Sequence, residues 1–381
     1  MVDSIVINKV IGFIKKESVL SAAILLAFIS AFFVRPDKKY LEYIDYRTIL
    51  ILFSLMVVME GYKKIGVFGF IAEKMLIQSN NITYIVFVLV SLCFFFSMVI
   101  TNDVALITFV PFTFTVLSKL DKNTGEYLFI PVVILQTVAA NLGSMLTPIG
   151  NPQNLYLYGV SGMTWGEFLA LMAPYSIMGF CLLMISITVL CRNQGRAQLE
   201  HRLINSGTTI EKNKLIIYSV MFALCILSVV RAADYRVVGL IIGVMILVID
   251  RDVLKRIDYS LLGTFVFFFI FVGNVGRIEW FYSRLSKLVD GSEILISVLL
   301  SQFISNVPAA LLLSDFTDNV GKLIVGLDIA GFGTIIASMA SLISFRQVAR
   351  ENNNIKWKYL LRFSVFNLVV LATMLLVCYV I

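Results

Sequence analysis

The chain has 381 residues, 59% of them hydrophobic and only 14% charged, with a mean hydropathy of +0.91. That composition excludes an ordinary soluble globular protein and fits an all-α polytopic membrane protein whose first partner is the lipid bilayer. The net charge of +7 comes from Lys and Arg scattered at segment ends rather than along one stripe, so it argues topology and not a nucleic-acid partner.

From the N-terminus, Lys9, Lys15 and Lys16 precede an apolar run from Val19 to Val34. No A-x-A-like cleavage site precedes Arg35, so the run reads as a first spanning helix and not as a signal peptide. Further spanning segments fall at about 47–62, 128–160 (broken), 166–190, 213–231, 236–250, 260–276, 321–346 (broken) and 358–380. With the first at about 18–34, that makes about nine transmembrane helices. The stretches 64–76 and 278–289 mix charge with large apolar residues and read as interfacial helices. Two further apolar pairs, about 82–117 and 291–317, each turn on a short polar tip and read as re-entrant hairpins.

The polar stretch 191–212 divides a first repeat, 1–190, from a second, 213–381. Ile44-Asp45-Tyr46 recurs as Ile257-Asp258-Tyr259, and Ile65, Phe68 and Lys74 recur as Ile278, Phe281 and Lys287 at the same offset of 213. Ser97, Ile100, Asn102, Ala105, Phe112 and Thr113 recur as Ser301, Ile304, Asn306, Ala309, Phe316 and Thr317 at an offset of 204. A weaker match sets Leu142-Gly143-Ser144 over Phe332-Gly333-Thr334. Matching polar residues in matching order mark an internal repeat. An odd number of crossings separates the two copies, so the repeats are inverted. Placing the linker 191–212 in the cytoplasm gives the inside loops about twice the Lys and Arg of the outside ones. That puts the N-terminus in the cytoplasm and the C-terminus outside.

The tips carry N-cap residue types at N-cap places, Thr101-Asn102-Asp103 before Val104 and Ser305-Asn306 before Val307-Pro308. Helix N-termini favour anions, so Thr101, Asn102, Asp103, Ser305, Asn306 and Pro308 form the candidate substrate-binding set. The first broken helix is interrupted by TPIGNPQN at 147–154, and the second by Ala337 to Ser344, which has no proline. Freed carbonyls with Thr147, Gly150, Asn151, Asn154, Ser338 and Ser341 form the candidate ion-binding set, whose oxygens suit sodium. Helix packing is an equal reading for the serines, which lie at i, i+3, i+6 with Ser344. Intramembrane acids are functional by default, which makes Asp103 and Asp328 candidates for ion coupling. A plain helix cap is the alternative for Asp103. Five cysteines without CxxC spacing and a single histidine, His201, argue against a transition-metal site, and no organic cofactor is expected.

The inverted repeat, the Asn-bearing tips and the T-P-I-G-N-P-x-N break resemble the ion transporter superfamily. Within it the chain is similar to the citrate-transporter-like permeases, which include arsenical-pump membrane proteins and sodium–dicarboxylate symporters. The resemblance covers about residues 18–380 and implies that tips and breaks hold sodium and substrate carboxylates, in a homodimer of the cell's inner membrane. Two departures stand out. Asp103 and Val307 replace the third residue of the symporters' Ser-Asn-Thr tips, and an Asn-Asp tip is similar to the arsenical-pump branch. The second break lacks the symporters' Pro and Asn.

The expected function is a secondary active transporter that moves a small anion by alternating access, coupled to sodium or protons. A sodium–proton antiporter and an arsenite efflux permease stand beside it as alternatives. A membrane enzyme would need an acid–base or nucleophile constellation, and a sensor an output domain larger than the linker allows.

Overall fold

The computed structural model describes Gly12 and residues 17–76, 81–192 and 210–381. Most of the 191–212 linker, with His201, lies outside the described residues, as do Lys9, Lys15 and Lys16.

The chain opens with α1 (Ser18–Phe33), α2 (Tyr46–Lys64) and α3 (Val67–Leu76). The recurring Ile-Asp-Tyr is a helix start. Asp45 Oδ1 accepts the N–H of Thr48 at 3.1 Å, and its counterpart Asp258 accepts that of Leu261 at 3.1 Å. The α3 helix buries Phe68, Ala72 and Leu76, one turn apart, which leaves its charged face outward.

The first hairpin is α4 (Ile82–Ile100) and α5 (Asn102–Leu117). A broken helix follows as α6 (Lys122–Ser144) and α7 (Pro152–Ser161), and then α8 (Trp165–Cys191). Beyond the linker run α9 (Lys212–Val229), α10 (Tyr235–Ile249), α11 (Tyr259–Gly276) and α12 (Glu279–Val289). The second hairpin is α13 (Glu293–Ile304) and α14 (Asn306–Leu313), the second broken helix α15 (Val320–Ile329) and α16 (Met339–Glu351), and the last helix α17 (Lys356–Val380).

Six helices among the described residues are long and apolar enough to cross a membrane: α4, α6, α8, α9, α11 and the stretch containing α17. The α2 helix has 19 residues but carries Arg47, Glu60, Lys63 and Lys64, and α1, α5, α10 and α13 are shorter apolar helices. The two hairpins differ in reach. At 1.5 Å per residue, the 19 residues of α4 extend about 28 Å and the 12 of α13 about 18 Å.

Within each half the hairpin packs on the first part of its own broken helix: α4 and α5 on α6, α13 and α14 on α15. The second parts cross over, so that α16 packs on α5 and α7 on α14. Gln347 Nε2 donates to Leu106 O at 3.2 Å across the first crossing, and Tyr156 and Ser314 hydroxyls meet at 2.8 Å across the second. The α1, α2, α9, α10 and α11 helices flank this centre, α1 against α11 and α2 against α9 and α10. The α6 helix is the core of the molecule, with 83% of its apolar window buried against 28% for α17. Exposed Phe32, Val248 and Leu376 on the flanking helices suit a lipid surround.

The second helix break lies earlier than the sequence suggests. It spans 330–338, and Met339 already opens α16, so Ser341 and Ser344 are helical. Glycine makes this break, not proline: Gly333 takes φ +108°, a conformation L side chains rarely adopt. Gln302 partners the freed backbone. Its Nε2 donates to Ala330 O at 3.2 Å and Phe332 O at 3.1 Å, and its Oε1 accepts the N–H of Thr334 at 2.8 Å.

Candidate functional site

The two tips share one strained backbone. Thr101 has φ 70°, ψ 149° and Ser305 has φ 73°, ψ 157°. This region is nearly confined to glycine and costs about 1–3 kcal/mol for other residues. The surroundings hold it in place. Asn102 N–H donates to Gly150 O at 3.0 Å, and Asn306 N–H donates to Ala337 O at 3.0 Å. Thr147 Oγ1 donates to Met98 O, and Thr334 Oγ1 donates to Gln302 O at 3.2 Å. Each hairpin is thus pinned to the break of its own half by two bonds of the same kind.

These bonds pair Thr147 with Thr334 and Gly150 with Ala337, an offset of 187. The weak match of Ser144 to Thr334 is therefore three residues out of register with the contacts. Gly150 is required by close approach, because a Cβ there would stand 2.1 Å from Ser144 O.

Neither Thr101 nor Ser305 caps its helix through its side chain. The helices begin at Asn102 and Asn306, so the reading of Asp103 as a cap for a helix starting at Val104 is overturned. Asp103 is the second residue of α5, its N–H donates to Asn102 Oδ1 at 2.9 Å, and its own Oδ1 is buried without a hydrogen-bond partner. Pro308 is buried in the first turn of α14, and Ser305 Oγ reaches Asn306 Oδ1 at 3.5 Å.

A second set of bonds ties the halves to each other. Asn151 caps α7, its Oδ1 accepting the N–H of Asn154 at 2.9 Å, while its Nδ2 donates to Asp328 Oδ1 at 3.0 Å. Asn154 Nδ2 donates to Asp328 Oδ2 at 2.9 Å, and Asn154 Oδ1 is buried without a partner. Asp328, near the end of α15, is only 4% exposed and so is held by amides of the other half. On the opposite side, Ser338 Oγ donates to Asn141 Oδ1 at 3.1 Å. Ser341 is buried in the first turn of α16 with its hydroxyl unpartnered. Ser344 bonds instead to Tyr359 OH at 2.9 Å, a packing role.

Sequence reasoning missed Asn141 and Gln302. Asn141 Oδ1 also accepts Asn102 Nδ2 at 3.0 Å, and its Nδ2 donates to Gly331 O at 3.4 Å, so one amide joins a tip to the break of the other half. An asparagine in the apolar run before the first break, and a glutamine three residues before the second tip, were the available signals.

Both tips and both breaks border a space of about 10 Å³, lined by Asn102, Asp103, Asn306, Val307, Gln153 and Ser338 among others. That is room for about one water-sized occupant. The N-termini of α5, α7, α14 and α16 border it and bring partial positive charge. Beside the first tip lies a larger cavity of about 220 Å³, walled by α2, the tip, the first break, the start of α11 and α16. Thr101, Asp103 and Asn151 line it, and Lys63, Arg256 and Asp258 stand among its charged residues.

Comparison with known proteins adds to this geometry. A family model described as citrate transporter matches residues 6–340. Inner membrane protein YbiR of Escherichia coli (strain K12) is 29% identical over 355 residues, covering 92% of this chain and 91% of that protein. The protein named Uncharacterized transporter MJ0456 of Methanocaldococcus jannaschii is 31% identical over 340 residues, covering 88% and 89%.

Proposed function

The chain belongs to the citrate transporter family, a family of membrane transporters, and from that premise we propose that it is a secondary active transporter for a small anion, coupled to sodium or protons. The observation that carries the reading is the pair of strained tips, each pinned by matching bonds to a helix break, around one small polar space. Strain of this kind persists where a binding geometry is held in advance. Helix ends that meet at mid-membrane are how such transporters build ion and substrate sites.

In this reading the halves are inverted repeats with re-entrant hairpins, and the protein is a homodimer in the inner membrane. Lys63 and Arg256 border the 220 Å³ cavity, and the charge bias places both in the cytoplasm, so the cavity opens inward. In this reading the conformation is inward-facing, with the cavity beside the first tip. The hairpin-bearing centre then shifts against the flanking helices to expose the site outside.

Sodium–proton antiport is a second reading, favoured by two intramembrane acids, Asp103 and Asp328, neither of which is ion-paired among the described residues. Proteoliposomes loaded with a panel of anions, with and without a sodium gradient, test both. Cation-dependent accumulation of an anion supports the first reading. Sodium-driven proton movement with no anion present supports the second. Movement of neither overturns transport.

A further inference from the structure

A cavity of about 580 Å³ lies away from the tips, where α5 and α16 end and α6 and α17 begin. We propose that it binds the headgroup of an aminophospholipid, a phosphate joined to a primary ammonium. This goes beyond the transport reading and does not depend on it.

Part of the lining is apolar. Phe114 and Phe129 stack there with ring centroids 4.8 Å apart, beside Leu117 and Ile130. Four charged side chains share the lining, the basic Lys122 and Lys358 and the acidic Glu126 and Glu351. All four are exposed, and none forms an ion pair among the described residues. Lys122 and Glu126 stand one turn apart on α6 and still do not meet. The backbone adds both signs as well. The starts of α6 and α17 bring partial positive charge, and the ends of α5 and α16 partial negative charge.

The lining is therefore balanced in charge. A simple anion would be drawn by the lysines and repelled by the glutamates, and a simple cation the reverse. A zwitterion satisfies both. A primary ammonium also donates charge-assisted hydrogen bonds to carboxylates, which a quaternary one cannot. The surroundings favour a lipid over a soluble zwitterion. Lys358 heads a stripe of α17 that continues with Leu361 and Val365, three and seven residues on and both exposed. In a bilayer that face meets acyl chains, and a basic residue at its end lies at headgroup level. The volume is that of a small-molecule site, about 300–1,000 Å³. In the proposed topology the lipid comes from the cytoplasmic leaflet.

The test is lipid binding to the purified, delipidated full chain in detergent, read by native mass spectrometry. The lipid probes share dioleoyl chains and differ in headgroup: phosphatidylethanolamine, phosphatidylcholine and phosphatidylglycerol. Glycerophosphoethanolamine, the same headgroup without chains, is the soluble competitor. Phosphatidylethanolamine should bind about tenfold more tightly than the other two lipids. Glycerophosphoethanolamine at equal concentration should not displace it. Glu126→Lys combined with Glu351→Lys should reverse the order and favour phosphatidylglycerol about tenfold. Glu126→Gln combined with Glu351→Gln, a milder change at the same exposed positions, should erase the preference over phosphatidylcholine. Equal or tighter binding of either other lipid to the unaltered chain overturns the inference, as does an unchanged order in both variants. Displacement by glycerophosphoethanolamine overturns the lipid and leaves a soluble zwitterion as the ligand. Binding of no lipid by folded protein overturns the site. Transport is read separately in proteoliposomes and stands or falls apart from these results.

Discussion

Asn141 and Asp328 hold corresponding places in the two halves, each accepting a hydrogen bond from the residue that opens the second part of the other half's broken helix. Ser338 Oγ reaches Asn141 Oδ1 at 3.1 Å and Asn151 Nδ2 reaches Asp328 Oδ1 at 3.0 Å. The offset between the acceptors equals that between the donors, 187 residues. One half uses an amide and the other an acid, so the cross-ties match in geometry and differ in charge.

That difference can be tested by exchange. Asp328→Asn leaves one carbonyl oxygen facing two amide donors, Asn151 and Asn154, so one of them loses its partner at a cost of about 1–3 kcal/mol. Asn141→Asp replaces the donor to Gly331 O with an acceptor. Each variant should melt several degrees below wild type in detergent and transport poorly. An unchanged melting temperature for both would show that the cross-ties contribute nothing to stability.

The tip asparagines differ in what their side chains hold. Asn102 donates to Asn141, whereas Asn306 has only the 3.5 Å approach of Ser305 Oγ. Asn306→Ala therefore removes little structure, and Asn102→Ala about one buried hydrogen bond, worth about 1 kcal/mol. Both should abolish most uptake while membrane abundance stays near wild type. Normal uptake by Asn306→Ala would remove that residue from the site.

Much of this centre was legible in the sequence, and the limits have physical causes. Apolar runs marked the helices α4, α5, α13 and α14, and Pro, Gly and Asn marked the interruption between α6 and α7, because these residues in an apolar run have few other uses. The second break was misplaced because its opening is made by Gly333 and satisfied by Gln302, a residue on another helix. The roles of Asn141 and Gln302 are long-range bonds, and no local pattern announces a partner 28 to 197 residues away. The alternative reading of Asp103 as a cap failed by two positions: Thr101 takes the strained conformation, so α5 starts at Asn102.

Strain and close approach give opposite predictions at neighbouring positions. Thr101→Gly relieves a conformation that costs threonine about 1–3 kcal/mol, so this variant should melt no lower than wild type. It should nonetheless transport more slowly, because the freed tip no longer holds one geometry. Gly150→Ala must move the backbone of Ser144, since its Cβ would lie 2.1 Å from that carbonyl oxygen. It should lose about 1–3 kcal/mol and much of its folded yield. Thermal melting of both variants checks the pair, and a lower melting temperature for Thr101→Gly would contradict the strain.

Asp103 should couple the cation to the anion. Its Oδ1 is buried and unpartnered, it lines both the small space between the tips and the cavity of about 220 Å³, and the second tip has apolar Val307 in its place. Capping does not explain the residue, because it lies inside α5 and makes no cap bond. A buried carboxylate without a partner is unfavourable unless a cation or proton accompanies it, and an anion beside it raises that requirement. Cation and anion should therefore bind in concert, each strengthening the other by the same factor. Asp103→Asn preserves size and the ability to hydrogen-bond but removes the charge. The variant should still bind the anion, with the affinity no longer dependent on sodium or pH, and should fail to accumulate it against a gradient. Binding of the anion at varied sodium and pH, together with uphill uptake in proteoliposomes, checks both halves of the claim. Uphill accumulation by Asp103→Asn with an unchanged sodium and pH profile would place coupling elsewhere, and Asp328 would be the next acid to substitute.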